Sequence, residues 1–517
     1  MRRRIGIDVG GTNTDAVLLQ DDRVLHAIKT PTTADVLTGV RLALQDIAQA
    51  VGVEAVQAVM IGTTHFVNAV VQRRDLAPVG AIRIGLPAAR SLPPFCDWPA
   101  DLAVMVRGQV HMVEGGLDYD GRPIMPLDEK AVAMAARSMK GAGISCIAVS
   151  SIFSPLDPGM EERAAEILRQ EMPHAAITLS HELGRIGLLE RENVALLNAC
   201  LMPLARHTVS AFEEALRQAG ILAPLFITQN DGTVIRAEVA SRFPVLSFAS
   251  GPTNSMRGAA FLTGVKDALV VDVGGTTSDI GALKAGFPRE ANTVVQIGGV
   301  RTLFRMPDLL SIGLGGGSHV QPLNTGGVVI GPRSVGFRLP QEARVFGGTQ
   351  LTTSDIAVRA GILSLGDAQC VVELDETLVR ATLAEAARML EESVDRMKTD
   401  AAGVPLLAVG GGAFLVPDRM MGVCEVLRPE HAAVANAVGA AIAQVSGEAD
   451  QVFQGMSRQE AMAEAERIAR LRAVEAGADE TTLALVDIED LPIAYLPGGA
   501  IRVRARVVGE IAVTGVP

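Results

Sequence analysis

The sequence predicts an α/β protein whose two halves share a design, and three observations carry that expectation. Strand-like and helix-like periodicities alternate along most of the chain, the pattern of a layered α/β domain. The stretch DVGGTNTD at 8–15 returns as DVGGTTSD at 272–279, identical at six of eight positions and flanked by apolar strand residues in both copies. A third apolar run, LLAV at 406–409, ends in Gly410, Gly411 and Gly412.

Taken in order, residues 5–7 and 16–19 read as strands joined by a glycine turn. Residues 34–52 have a helical period, and 58–74 read as strand, Gly-Thr-Thr turn and helix. Helix, glycine turn and buried strand follow over 132–154, then a helix at 158–171 and a strand near 176–180. The stretch 189–218 is helical with an expected interruption at Pro203, because proline removes a helical N–H and clashes with the preceding turn. Residues 224–235 read as strand, turn, strand, and 248–264 as a loop opening a helix near Thr253. After the second hairpin come the glycine-ended strand at 406–414 and a helix of small residues at 430–447. A charged amphipathic helix at 456–476 and a strand-like tail at 480–515 complete the chain.

At 517 residues the chain is long enough for more than one domain. Hydrophobic residues at 48% and charged residues at 20% are ordinary for a globular protein. Only 3% are aromatic, which argues against a base-stacking or sugar-stacking surface. The net charge of −12 argues against nucleic acid or an anionic membrane as partner. No apolar run is long enough for a membrane span, and Asp8 follows Arg2, Arg3 and Arg4 too closely for a signal peptide. Cys96, Cys146, Cys200, Cys370 and Cys424 are scattered without a C-x-x-C pair. They read as buried small hydrophobes in a reducing cytoplasm. His111, Glu114, Asp118 and Asp120 cluster in sequence but fit no zinc spacing.

The duplicated hairpin has a chemical logic. Consecutive glycines let a backbone turn approach a bulky anion, and turn N–H groups with threonine hydroxyls donate to phosphate oxygens. Gly10, Gly11, Thr12, Asn13 and Thr14 are the expected nucleotide contacts in the first copy, and Gly274, Gly275, Thr276 and Thr277 in the second. Asp8 and Asp272 stand at the strand ends, placed to hold a hydrated Mg2+ or orient water, and are the expected catalytic and metal residues. Two such hairpins across a cleft would clamp a nucleoside triphosphate, with Gly410, Gly411 and Gly412 against its base or ribose. No Rossmann or Walker glycine pattern is present. Thr63 and Thr64, with His65 and Asn68, open a helix, a plausible site for a substrate anion. His65 reads equally as a helix-start residue or a catalyst. GLGGGSHV at 313–320 offers Gly316 and Ser318, either in a loop closing over substrate or in a packed loop. His181, Glu182, Glu190, Arg191 and Glu192 read as a solvated helix face.

The order of these elements resembles the actin-like ATPase superfamily and, within it, the hydantoinase A / 5-oxoprolinase family of ATP-binding subunits, with its N-methylhydantoinase A and acetone carboxylase relatives. The matching stretches include RIGIDVGGTNTDAVLL, IGTTHFVNAVVQRR, LSHELGRIGLLERENVALLNACLMP, FASGPTNSMRGAA, VVDVGGTTSDIGAL and AVGGGAF, spread over residues 4–450. The resemblance implies two actin-like (ribonuclease H-like) domains around a nucleotide cleft, at 1–185 and 186–450, with a helix and β-rich tail at 451–517. It also implies ATP and Mg2+ as cofactors and ATP-dependent opening of a small cyclic amide: a hydantoin, 5-oxoproline or a lactam. The route is phosphorylation of the amide oxygen. The chain is shorter than many members, so the resemblance leaves open action alone or with a B-type or other second subunit, in a homo- or hetero-oligomer. Two other functions fit parts of the pattern. One is a small-molecule kinase of the same fold, although its usual zinc-binding cluster is missing; the other is an ATP-driven reactivating chaperone or assembly factor.

Overall fold

The computed structural model describes residues 2–31, 36–53, 55–184, 186–291, 295–303, 306–323, 327–493 and 499–512. The chain begins with β1 (Arg3–Val9), β2 (Asn13–Gln20), β3 (Arg23–Pro31) and β4 (Val56–Thr63). β1 pairs antiparallel with β2 and parallel with β4. Ala16 and Leu18 pack toward helix Val36–Val51, whereas Val17 and Leu19 pack toward helix Ala435–Ala441. Both faces are covered, which explains a continuous apolar run instead of an alternating one.

A separate parallel sheet holds β5 (Val79–Leu86), β6 (Arg107–Glu114), β7 (Cys146–Ser151) and β8 (Ala176–Leu179) in the order β6-β5-β7-β8. Helices Glu129–Gly141 and Gly159–Glu171 cover one face, and the 31-residue helix Leu188–Gln218 covers the other. That helix runs through Pro203, contrary to the expected interruption. Its residues on both sides of the proline are buried in the core, and packing outweighs a local cost of about 3 kcal/mol.

Strands β9 (Leu225–Thr228) and β10 (Val234–Arg236) return to β4, and Val445–Phe453, Ile501–Gly509 and Ala484–Pro492 extend the same sheet to nine strands. The sheet therefore draws on all three segments expected from sequence; position 185 itself lies outside the described residues, as do 494–498 and 513–517 of the tail. The expected helix at 430–447 is shorter, Ala435–Ala441, because residues from Val445 onward pair with Ile501–Gly509. Helix Arg458–Glu475 presses Ala461, Ala465, Ala469 and Ala473 onto this part of the sheet.

The second major sheet repeats the opening of the first. β11 (Ala268–Val273) and β12 (Ser278–Lys284) form the hairpin, and strand Val404–Val409 lies parallel to β11. Between the sheets stand helices Ser250–Thr263 and Ala435–Ala441. The first helix begins three residues earlier than expected, at Ser250, with Pro252 in its first turn, where proline is tolerated. Met256, Ala259 and Ala260 pack on the second sheet, and Ala437, Val438 and Ala441 pack on the first. The helices touch backbone to backbone. A Cβ at Gly258 would lie 1.8 Å from the Ala435 carbonyl oxygen, and one at Gly439 would lie 1.8 Å from that of Asn254.

Two further expectations need adjustment or limits. Cys146 and Cys200 are buried, but Cys96, Cys370 and Cys424 are exposed, so burial explains two of the five. No helix among the described residues is long and apolar enough to cross a membrane.

Gly258→Ala is expected to destabilise the fold by about 1–3 kcal/mol or more, since the methyl meets backbone that cannot rotate away. Gly141→Ala, where a Cβ meets nothing within 4 Å, is the control. Chemical denaturation midpoints of the two variants check this; equal midpoints would show that the crossing has slack.

Candidate functional site

The two hairpins have the same register. Asp8 faces Asp15 and Val9 faces Thr14 in the first; Asp272 faces Asp279 and Val273 faces Ser278 in the second. Each turn closes with one backbone bond, Gly10 N to Asn13 O at 3.0 Å and Gly274 N to Thr277 O at 2.9 Å. The N–H groups of Gly11, Thr12, Gly275 and Thr276 bond to no protein group among the described residues. The turns face each other: a Cβ at Gly275 would lie 3.2 Å from Thr12 Cγ2. Two sets of backbone donors thus meet at one place, which suits a ligand carrying several anionic oxygens.

Asp8 is 4% exposed. Its Oδ1 accepts from Asn254 Nδ2 at 3.2 Å and its Oδ2 from Asn436 Nδ2 at 3.1 Å. Asn254 also donates to Thr228 Oγ1 at the end of β9, and Asn436 to Asp15. Lys29 pairs with Asp15 at 2.7 Å. Burial raises the Asp8 pKa to about 7; the charges of Asp15 and Asp272 add to the rise, and the two amides oppose it. The Asp272 carboxyl is likewise raised, mainly by burial, against a hydrogen bond from Ser255 Oγ. Asp279, bonded by Ser311, rises to about 6 for the same principal reason.

The glycine triplet follows strand Val404–Val409 beside β11. Gly410 has φ +87°, and a Cβ there would lie 2.2 Å from Asp272 Oδ1, so this position admits glycine alone. Gly412 N donates to Val273 O at 2.7 Å. Gly411 is exposed, with nothing within 4 Å of a Cβ, and presents an open backbone surface beside the second hairpin.

Other sequence-predicted residues fall in different places. Thr63 pairs with Val9, which sets Thr64, His65 and Asn68 beside the first hairpin. Thr63 N donates to Ser250 Oγ, and Asn68 Nδ2 donates to Thr64 Oγ1 at 3.2 Å. His65 is half-buried and its pKa is lowered chiefly by burial, which favours the neutral ring. Thr14 was expected at the nucleotide but is fully buried against Gly39 in the layer beneath the hairpin. Gly316 and Ser318 were expected at the substrate. Instead Gly316 N donates to Gly274 O and Gly317 N to Gly275 O, while buried Ser318 accepts from Gly315 N and donates to Gly313 O. The loop is a backing for the second hairpin, its polar atoms already used. Asn254, Ser255 and Asn436 were missed by sequence reasoning. Asp15 and Asp279 were missed too, although their repetition in both copies was a signal.

Comparison with known proteins agrees with this architecture. The profile described as Hydantoinase/oxoprolinase N-terminal region matches residues 4–172, and the one described as Hydantoinase/oxoprolinase matches 191–370. The chain is 26% identical over 388 residues to caprolactamase subunit alpha of Pseudomonas jessenii, covering 70% of this chain and 55% of that protein. It is 28% identical over 392 residues to the acetophenone carboxylase gamma subunit of Aromatoleum aromaticum, covering 70% and 53%. The chain thus spans about half the length of the curated relatives it matches. The solved ATP-dependent caprolactamase from Pseudomonas jessenii superposes with a TM-score of 0.79 at 20% identity, over 98% of this chain and 87% of that one, which shows a shared fold. The two profiles together run from the first hairpin past the second, and the chain belongs to the hydantoinase/oxoprolinase family.

Proposed function

We propose that this chain binds ATP between its two hairpins and phosphorylates the carbonyl oxygen of a cyclic amide, such as a hydantoin, 5-oxoproline or a lactam, as the step that prepares ring opening. The observation that carries the reading is the pair of hairpins in identical register, turned face to face, each with an aspartate behind two free N–H groups, Asp8 buried and Asp272 half-buried. The similar caprolactamase is named for action on a lactam, and family membership supports the same chemistry here. An unstrained amide carbonyl is a poor electrophile, and placing a phosphoryl group on its oxygen makes that oxygen a leaving group.

In this reading Gly11, Thr12, Gly275 and Thr276 donate to phosphate oxygens, and the open backbone at Gly411 takes the base or ribose. Asp8 and Asp272 fit a hydrated divalent cation: both are desolvated, and the charges of Asp15 and Asp272 add to the burden on Asp8. Mg2+, when bound, would neutralise phosphate charge and order water. The chain's own task is to hold these carboxylates, through Asn254, Asn436 and Ser255. The two similar relatives are named as subunits, which supports a second subunit for the complete reaction.

The direct test is ADP release with a panel of lactams and hydantoins. Stimulation by a small ring, with or without a second subunit, is expected; stimulation by a protein partner that no ring increases would sink the enzyme reading. Asp272→Asn keeps an acceptor for Ser255 but removes the charge, and is expected to lower ATP turnover by about a hundredfold or more with the unfolding midpoint retained. Unchanged turnover would remove Asp272 from the chemistry.

Asp8 also predicts a pH effect. Its folded pKa near 7 lies above the unfolded value, so between about pH 4 and 7 the folded chain holds a proton that the unfolded chain has lost. Stability contributed through this group therefore falls as pH rises across that window, by an amount on the order of 3 kcal/mol. Asp8→Asn is expected to gain on the native chain at pH 8 relative to pH 4, and Mg2+ to narrow the gap. Thermal unfolding at both pH values checks this.

A further inference from the structure

The charged stretch that begins at Ser180 does not form a solvated face: Arg191 is fully buried and Glu192 is 2% exposed. Their partners lie within the fold, Ser180 Oγ for Arg191 at 2.9 Å and Arg83 for Glu192 at 2.7 Å. Lys29 is a different case, and cross-strand register places it. Gly6, Val17 and Ala27 form one row across β1, β2 and β3. That row lies against helix Ala435–Ala441: Val17 and Ala27 pack with Ala437 and Ala441, and a Cβ at Gly6 would lie 2.1 Å from the Ala437 carbonyl oxygen. Side chains alternate along a strand. The next row on this face, two residues nearer the turn, is therefore Asp8, Asp15 and Lys29.

The second hairpin repeats the arrangement. Val270, Gly281 and Leu309 form the row that packs against Met256 of helix Ser250–Thr263, and Asp272, Asp279 and Ser311 form the next. The two polar rows match at their aspartates and differ at the third place, lysine in the first and serine in the second. Ser311 bonds Asp279, and the Lys29 ammonium meets Asp15 at 2.7 Å. Although β3 is the edge of its sheet, Lys29 faces inward: it and Asp15 are the charged groups that act on Asp272 from the opposite hairpin. The one cation of the two rows thus stands between them. It is also free to change partners. Its side chain is 34% exposed, and a lysine ammonium is a compact charge with three donors on a flexible stem. Asp15 keeps a second donor, Asn436 Nδ2 at 2.8 Å, and stays held if the ammonium moves.

The direction of the triphosphate follows from the glycine triplet. Strand Val404–Val409 and Gly410 to Gly412 belong to the sheet of the second hairpin, and in the reading above Gly411 takes the base or ribose. A triphosphate that starts there runs toward the first hairpin, and its last phosphoryl group ends at the row that holds Lys29. We propose that the Lys29 ammonium exchanges Asp15 for the γ-phosphoryl group of ATP, which makes the first hairpin the side of phosphoryl transfer. The proposal rests on the ATP reading above. In the transfer, the γ-phosphorus gives up its bond to the bridging oxygen, which leaves with the electron pair as part of ADP, and forms a bond to the amide carbonyl oxygen. The outer phosphoryl oxygens stay negative throughout, and a cation fixed beside them stabilises the transition state. Lys29 keeps its protons. Its role ends with the transfer and is compatible with a second subunit that completes ring opening.

Acetylation of Lys29 by sulfosuccinimidyl acetate in the intact native chain, followed by peptide mass mapping, tests the contact. Saturating AMP-PNP with Mg2+, which carries a γ-phosphoryl group that does not transfer, is expected to slow the acetylation more than saturating ADP with Mg2+. Equal rates with the two nucleotides overturn the proposal. Titration calorimetry of Lys29→Met tests it a second way: AMP-PNP is expected to bind about 10–100-fold more weakly than to the native chain, with ADP affinity within about threefold. A lysine that only braces Asp15 would weaken both nucleotides alike or neither, and either result overturns the γ-phosphoryl role. A native chain that binds neither nucleotide sinks the ATP reading and this role together, whereas a native preference for AMP-PNP that survives in Lys29→Met sinks the role alone.

Discussion

The crossing of helices Ser250–Thr263 and Ala435–Ala441, backbone against backbone at Gly258 and Gly439, is the constraint on which the rest depends. Helices usually pack with side chains between them and axes about 8–10 Å apart. Here the small residues bring the helices into direct contact, and each helix lies on one of the two sheets. The residues that point away from the contact are Asn254, Ser255 and Asn436, and they are the ones that hold Asp8 and Asp272. One packing contact thus sets both the spacing of the sheets and the position of the aspartates.

The chain buries carboxylates in two ways, and the difference separates support from chemistry. Glu192 meets the fully buried guanidinium of Arg83, and Glu161 sits beside Arg191, whose charge helps hold its pKa low. Those carboxylates are neutralised by the protein. Asp8 is held by two neutral amides, which orient it without cancelling its charge, and its pKa is raised. A desolvated carboxylate without a protein cation is costly, and the cost falls where an exogenous cation can offset it.

Much of the fold was legible in the sequence because its signals are local. Hairpin turns announce themselves by paired glycines, and the repeat at 272–279 made the first copy meaningful. Asn254 and Asn436 were not legible: Asn436 is a lone polar residue in a run of small ones and Asn254 is one of several polar residues in a small-residue helix, and their role appears only when segments about 180 residues apart in sequence cross. The helix at Ala435–Ala441 stopped early for a similar reason, since its small-residue pattern continues into a strand claimed by distant pairing. Pro203 misled in the opposite direction, because local backbone preference lost to burial. Ser318 and Thr14 look like ligand contacts by residue type, yet both point into packed layers.

The nine-stranded sheet carries a consequence for the birth of the protein. β1 through β4 are made first, but the Ala435–Ala441 helix that covers one of their faces and the strands that complete their sheet lie hundreds of residues downstream. At about 5–20 residues per second, a ribosome needs on the order of tens of seconds to supply them. Through that interval the early strands expose an apolar face without its cover, and the high separation of their partners makes closure slow. The nascent chain therefore carries that uncovered apolar face until residues 435–453 and 501–509 have been made, and the opening sheet closes only then.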